Sequence, residues 1–335
     1  MEYKAWIIRE QNDGSFTRSV ETCLSENLPD HDLLIRVRFA ALNYKDALSA
    51  SGHKGITRSY PHQPGIDAVG DVLEDRSGKY QVGDKVICTS FDLGMNTPGG
   101  FGELIRVPTH WAVPLPESLT MEESMIIGSA GFTAGLALHK MELCGQAPVM
   151  GPICVTGASG GVGSLSLALL SHCGYTVIAA SGKSSSTDYM LELGASEVIK
   201  RSEVDDQSGK PLLKARWAGA IDNVGGNTLA TLIKGCDRNG SIACVGLVDS
   251  PKLETTVYPF ILNGVNLLGI ESAHTPLHLR AAIWKRLATD WKLPNLHRIK
   301  SVIPPEALDS YIVRMMHGDT RGRIILKYDK YRVLE

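Results

Sequence analysis

Little in this chain of 335 residues is extreme, and its shortages narrow the field first. Net charge is one shortage. The 34 Lys and Arg nearly cancel the 36 Asp and Glu, leaving −2 at pH 7. No global field therefore attracts nucleic acid or an anionic membrane, although a local basic pocket for phosphates remains open. No stretch approaches the ~18 consecutive apolar residues of a membrane span, and the opening Met1 to Glu10 lacks the long apolar core of a secretory signal. A cytoplasmic location is the expectation. Cysteine pairing motifs are missing too. The seven cysteines, at 23, 88, 144, 154, 173, 236 and 244, are an odd number without a Cys-x-x-Cys pair, and they read as reduced packing residues. There is no internal repeat, no low-complexity tract and no basic stripe interleaved with aromatics of the kind that grips nucleic acid.

What is present is the ordinary stock of a globular protein, 43% hydrophobic and 21% charged, with a length that suggests about two domains. The 34 glycines suit a fold with several tight strand-to-helix turns. Up to about residue 125 the chain shows short apolar runs bounded by Gly and Pro, such as the alternation of Leu34, Val37 and Phe39 and the run from Leu104 to Val107. These predict an antiparallel, partly barrel-like β domain. From Ile153 the pattern changes to strand–helix alternation, which implies a doubly wound parallel sheet inserted in that β domain over roughly 127–270. A helix from about 277, a Pro304-Pro305-Glu306 helix start and a last strand from Arg323 complete the first domain, giving 1–126 plus 271–335 against 127–270.

The strand Ile153-Cys154-Val155-Thr156 runs into Gly157-Ala158-Ser159-Gly160-Gly161-Val162-Gly163 and then a helix. Glycine triplets alone are weak evidence, but here the strand before and the helix after are both in place. Gly157 and Gly160 allow a tight turn and close backbone approach, Gly163 lets the helix press on the sheet, and the helix N-terminus offers N–H groups to a pyrophosphate. Enzymes for NAD usually carry Asp or Glu about 20 residues on, at the end of the second strand. This chain instead has Ser181-Gly182-Lys183-Ser184-Ser185-Ser186, with no carboxylate before Asp188. Hydroxyls and an ammonium there favour the 2′-phosphate of NADPH, and Arg201, after the third strand, is a further candidate contact.

Asn43-Tyr44-Lys45-Asp46, Pro64-Gly65-Ile66-Asp67, Val82-Gly83-Asp84-Lys85-Val86, Gly128-Ser129-Ala130-Gly131-Phe132-Thr133-Ala134 and the glycine loop follow one another in an order that resembles the medium-chain dehydrogenase/reductase superfamily over essentially the whole chain. The resemblance implies a nucleotide-binding Rossmann domain inserted in a GroES-like catalytic domain. Leu42 to Ala47 and Trp217 to Asp222 resemble a narrower branch, the quinone-oxidoreductase-like acrylyl-CoA reductases, which use NADPH. Alcohol dehydrogenases of the superfamily hold catalytic zinc. At the matching places this chain has Asn43, Asp46 and Asp67, and no cysteine lies between Cys88 and Cys144 where a structural lobe would need four, so no metal is expected.

Without a Lewis acid, the easier chemistry is hydride transfer to a carbon–carbon double bond conjugated to a carbonyl, with an enolate to stabilise and a proton to deliver. The resemblance makes Tyr44 the candidate for enolate contact or proton delivery and for packing on nicotinamide, and Asn43 a candidate amide donor. It further implies Thr133, taken to begin the helix that leads into the nucleotide domain, together with Leu247, Ile261, Ser272 and Arg323 as residues shaping the cofactor site. Asp46 and Asp67 are expected to be structural, with charge partners inside the fold. Lys54 and Arg58 are conceivable contacts for CoA phosphates. Acyl-CoA reduction, reduction of a quinone or general enone, and non-catalytic NADPH binding stay open as functions. Relatives commonly join their nucleotide sheets through a late apolar strand, here Asn266 to Ile270, so a homodimer is expected.

Overall fold

The N-terminus holds a pair of strands that its pattern does not announce. β1 (Glu2–Glu10) and β2 (Phe16–Leu24) form an antiparallel hairpin. Trp6, Ile7 and Ile8 are all buried, so β1 shows no inside–outside alternation, and β2 is largely exposed. In the computed structural model, which describes residues 1–328, the chain divides into two units. One comprises Met1–Ser129, Ala273–Ala282 and the chain from Asn295 onward. The other comprises Ala130–Ser272 and Ile283–Pro294.

The first unit is built on β3 (Leu33–Leu42), which α1 (Tyr44–Ala50) follows directly. β4 (Asp67–Asp75), β5 (Lys85–Thr89), β6 (Leu104–Val107) and β7 (Ala112–Pro114) come next in the chain. β3 pairs antiparallel with β4 and β6, and β4 with β5. Ile8, Leu33, Ile35, Val37, Phe101 and Ile105 belong to the core. α2 (Met121–Leu143) leaves this unit through a break at Gly128, whose φ of 48° and ψ of −157° are not helical. Residues 124–138 of α2 are buried without interruption, so the sequence offers no polar face from which helical period could be read.

The second unit opens with β8 (Ile153–Thr156), α3 (Gly161–His172), β9 (Val177–Ser181), α4 (Thr187–Glu192) and β10 (Glu197–Lys200). It continues with β11 (Trp217–Asp222), α5 (Gly226–Lys234), β12 (Cys236–Cys244), α6 (Tyr258–Asn263) and β13 (Asn266–Gly269). The six strands are parallel in the order β10-β9-β8-β11-β12-β13, the Rossmann order expected of a doubly wound sheet. All residues of β8 and β11 are buried, as strands covered by helices on both faces must be, and their sequences are apolar up to the polar last residues, Thr156 and Asp222.

α7 (Leu277–Ala288), β14 (Lys300–Ile303), α8 (Leu308–Met316) and β15 (Arg323–Lys327) end the described chain. β14 and β15 complete the first unit's sheet, β15 against β3. The structure groups 283–294 with the nucleotide unit, whereas the sequence reading kept everything after 270 in the first domain. The physical reason is packing. Trp284 stacks at 6.4 Å on Phe132, and Ile283, Leu287 and Trp291 close on the bare backbone of Gly135. Arg286 pairs with Glu142 at 2.7 Å and lies 3.4 Å over the Trp291 ring. All seven cysteines are free, but Cys144 is exposed and so is no packing residue.

Trp291→Ala should cost about 3–5 kcal/mol, the usual range for a large buried aromatic. Hydrogen exchange should accelerate in α7 and in α2 after Gly128, with β3, β4 and β5 unchanged. Loss of protection spread evenly over both units would contradict the grouping.

Candidate functional site

In the nucleotide unit, β8 ends in a turn that only a bare backbone can make. Gly157 sits at φ 57°, and Gly160 precedes the first turn of α3 in extended conformation. A Cβ on Gly163 would stand 2.3 Å from the Gly157 carbonyl oxygen and 2.7 Å from the Ala158 Cα, so the helix meets the loop backbone to backbone. The N–H groups of the first turn, Gly161 to Gly163, have no helical carbonyl to bond and are presented for an anion. Ser159 and Val162 belong to the same turn.

A residue the sequence reading did not single out holds this loop. Asp222, at the end of β11 and fully buried, accepts a 2.6 Å hydrogen bond from the Thr156 hydroxyl and further bonds from the Val224 and Gly225 N–H groups. Burial pushes its carboxyl up, against those bonds, which pull it down. Asn223 donates at 2.8 Å to the Thr156 carbonyl. The strand ends of β8 and β11 are thereby tied together at the mouth of the sheet. The available signal was the acidic end of an otherwise apolar strand.

Ser181 closes β9, stands opposite Lys200 of β10, and accepts a 3.1 Å hydrogen bond from the Lys183 N–H. Arg201 follows Lys200, with its Cδ 3.9 Å from the position of a Cβ on Gly182. Ser181, Gly182, Lys183 and Arg201 are thus brought together at the carboxyl ends of β9 and β10. Arg201 is also paired, at 3.0 Å, with Asp249, a carboxylate the sequence reading left out. Thr133 donates to the Ser272 hydroxyl at 2.9 Å, and it lies within α2 beyond the Gly128 break rather than at the start of a helix. Leu247 and Ile261 are 64% and 68% exposed, as are Val248 and Val257 at 64% each.

In the other unit the motif residues converge on Arg323, which is 2% exposed. Its Nε donates to the Ile126 carbonyl at 3.0 Å, Nη1 to the Leu42 carbonyl at 3.5 Å and to Asn43 Oδ1 at 2.9 Å, and Nη2 to Asp67 Oδ2 at 3.1 Å and to the Met125 carbonyl at 3.4 Å. All five N–H groups are engaged, so the cofactor role implied by the family resemblance has no donor left to perform it. Burial lowers the guanidinium from its ordinary value, and Asp67 opposes that shift. Asp67, with no exposed surface, also takes the Ser129 N–H, the Ser129 hydroxyl at 2.6 Å and the Asn43 amide at 3.0 Å.

Asn43 is corrected on the same ground. Its amide nitrogen donates to the Ala41 carbonyl at 3.1 Å and to Asp67, and its oxygen accepts from Arg323. Both N–H bonds are spent inside the fold, leaving none for a substrate carbonyl. Asp46 reaches back to the Asn43 N–H at 2.8 Å and accepts from the Gly65 and Ile66 N–H groups. Burial pushes its carboxyl up to about 7. Tyr44 and Lys45 are the exposed residues of this motif, Tyr44 at 42% in the first turn of α1. Lys54 is paired with Glu10 and lies 4.8 Å over the Tyr60 ring, and the Arg58 backbone N–H donates to Asn96 Oδ1.

Two family profiles match the chain, an alcohol dehydrogenase GroES-like domain at residues 29–117 and a zinc-binding dehydrogenase at 161–286. YhfP of Bacillus subtilis (strain 168), provisionally named a quinone oxidoreductase, is 41% identical over 95% of this chain and 97% of its own. The B. subtilis yhfP structure with NAD bound superposes with a TM-score of 0.95 over 98% of this chain and all of the other, at 40% identity. The acrylyl-CoA reductase AcuI of Ruegeria pomeroyi is 37% identical over 96% of this chain and 97% of its own. The yhdH oxidoreductase of Salmonella enterica in complex with NADP superposes with a TM-score of 0.94 at 39% identity, over 98% and 100% of the two chains.

The zinc in one profile's description does not suit the donors present. Asn43, Asp46 and Asp67 offer no imidazole or thiolate, and a guanidinium already neutralises Asp67. His274 and His278 do have four-residue spacing, which the sequence reading overlooked, but α7 starts only at Leu277, so the pair does not share a helix face. Among the described residues no group of three or more His, Cys, Asp or Glu side chains is placed to hold a metal ion.

Arg323→Met should destabilise the protein by about 3–5 kcal/mol, because it strands the Asp67 charge in the interior. Adding Asp67→Asn removes that charge, and the double variant should recover part of the loss in a denaturant titration. A double variant as unstable as the sum of the two singles would show that the pair is not coupled.

Proposed function

Because the chain belongs to the medium-chain dehydrogenase/reductase superfamily, in its quinone-oxidoreductase-like branch, we propose that this oxidoreductase uses NADPH to reduce the double bond of an α,β-unsaturated acyl-CoA, acryloyl-CoA to propanoyl-CoA. The observation that carries the reading is the Asp67–Arg323 clamp: Asp67, which the family resemblance matches to a zinc-ligand position, is bound by a buried guanidinium. Without such a Lewis acid an alcohol would need another activator, such as a general base on its hydroxyl, whereas a thioester-conjugated double bond brings its own activation. AcuI, an acrylyl-CoA reductase alike over nearly the whole length, supports this substrate. YhfP favours a second reading, reduction of a quinone or another enone.

NADPH is assigned to the glycine loop from Gly157 to Gly163, whose first-turn N–H groups suit the pyrophosphate, and to Ser181, Lys183 and Arg201, which suit a 2′-phosphate. A relative solved with NADP supports that choice. Bound there, NADPH would supply a hydride from nicotinamide C4 to the β-carbon of the substrate, and a proton from the Tyr44 phenol or from water would complete the reduction at the α-carbon. Tyr44 is assigned the donor role towards the charge that develops on the thioester oxygen. Asn43 and Asp46 hold the first turn of α1, and with it the Tyr44 phenol, in place. Homodimer formation is part of the same reading, since β13 is the outermost strand of the parallel sheet and Leu267 on it is 37% exposed. A cytoplasmic location also goes with it; among the described residues no helix is long and apolar enough to cross a membrane.

NADPH oxidation measured with acryloyl-CoA, crotonoyl-CoA and a quinone tests the substrate, and turnover should be fastest with acryloyl-CoA. Quinone turnover alone would transfer the assignment to the second reading, and no turnover with any acceptor would leave NADPH binding without catalysis. Light scattering at micromolar concentration should give twice the chain mass, and a monomer would refute the dimer.

Tyr44→Phe keeps the ring and removes the donor. NADPH affinity should hold while kcat falls roughly 100-fold, the scale of one lost oxyanion or acid–base contact. A Phe variant with unchanged kcat would take Tyr44 out of the chemistry.

A further inference from the structure

Arg201 and Asp249 form an ion pair at a place where an ion pair is awkward for the assigned cofactor. The end of β9 is where a doubly wound sheet meets the adenosine ribose, and a 2′-phosphate there carries up to two negative charges. Arg201 is beside that strand end, its Cδ 3.9 Å from the Cβ position of Gly182 and its parent strand paired through Lys200 with Ser181. Yet its Nη2 is directed to Asp249 Oδ1 at 3.0 Å. Both partners are about half exposed, 54% and 48%, so the pair lies open to an incoming anion.

Asp249 does not hang loosely. Its N–H donates to the Val224 carbonyl at 2.9 Å, and the next residue, Ser250, bridges to Gly225. Its Oδ2 is 3.0 Å from where a Cβ on Gly226 would stand, at the start of the nine-residue helix α5. Backbone bonds and the positive end of that helix therefore keep the carboxylate beside Arg201. In a chain that binds NAD, an acidic group near the ribose receives the 2′-hydroxyl. Here the acidic group comes from a different strand end, after β12, and is held by an arginine.

We propose that Asp249 is a specificity-determining residue that competes with the 2′-phosphate of NADPH for Arg201 and so holds down the preference for NADPH over NADH. The proposal rests on the reading that Ser181, Lys183 and Arg201 receive the 2′-phosphate. When NADPH binds, Arg201 exchanges one anion for another, and the displaced carboxylate is left near a second negative group. NADH demands no such exchange. The chain thus carries cationic groups that favour the phosphate and an internal anion that offsets part of that advantage.

The test is the dissociation constant of NADPH and of NADH, followed by nicotinamide fluorescence, for the unmodified protein, Asp249→Asn, Arg201→Ala and the double variant. Asp249→Asn should tighten NADPH by about two- to fivefold, the scale on which a half-exposed charge pair acts, and leave NADH essentially unchanged. In the Arg201→Ala background the same substitution should gain NADPH little. Unchanged or weaker NADPH binding by Asp249→Asn would overturn the proposal, showing that the carboxylate orients Arg201 rather than competing for the phosphate. An equal gain with and without Arg201 would overturn it as well, since Asp249 would then act on the phosphate directly. The underlying reading fails separately, if the unmodified protein binds NADPH no tighter than NADH and Arg201→Ala alters neither.

Discussion

The first unit is arranged around one buried charge pair, Arg323 with Asp67. Taking both ions out of water costs several kcal/mol each, and the pair alone does not repay that unless every remaining donor and acceptor is met. Here they are met. Arg323 spends its five N–H groups on three carbonyls, Asn43 and Asp67, and Asp67 receives Ser129 and Asn43 besides. The partners come from the end of β3, the start of β4, the break in α2 and the first residue of β15, so one guanidinium joins parts of the chain up to 281 residues apart.

That pair also explains Gly128. A Cβ at this position would stand 2.4 Å from Asp67 Oδ2 and 2.6 Å from Arg323 Nη2, and its positive φ would strain any other residue. The break in α2 is the backbone's accommodation of the ion pair beneath it. Ser129, immediately after the break, turns its N–H and hydroxyl onto the same carboxylate, and its Oγ lies 2.8 Å from that of Ser90. With Asn43 fixed by Arg323, and Asp46 fastened to the N–H groups of Asn43, Gly65 and Ile66, the residues of the Asn43-Tyr44-Lys45-Asp46 motif left exposed are Tyr44 and Lys45.

The parallel sheet was legible because its signals are local. Unbroken apolar runs mark strands covered on both faces, and glycines punctuate the helices between them. Ile153 to Thr156 was read to the residue, and the turns at Gly157 and Gly163 need glycine for the reasons their spacing suggested. The hairpin at Glu2–Leu24 and the helix at Met121–Leu143 were not legible, one because its inner strand lacks alternation and the other because burial on all sides erases the helical period. The structural role expected for Asp46 and Asp67 agrees with their buried contacts, yet nothing in the sequence pointed to Arg323 as Asp67's partner. Their separation of 256 residues puts that pairing beyond any local pattern.

Two arginines show where sequence reading stops. Arg201 and Arg323 were both assigned to the cofactor, and each follows or begins a short strand. Burial separates them. Arg323 is closed in with all its donors used, so its charge serves the fold and has nothing left for a ligand. Arg201 is half exposed and held by an exposed carboxylate, an interaction weak enough in water for a phosphate to displace. A guanidinium recognises an anion in proportion to the donors it can still turn outward, and that number is set by contacts from distant parts of the chain. The cation that resembles a family position is therefore the structural one, and the cation suggested only by its place after a strand is the one left half exposed, as the proposed cofactor role requires.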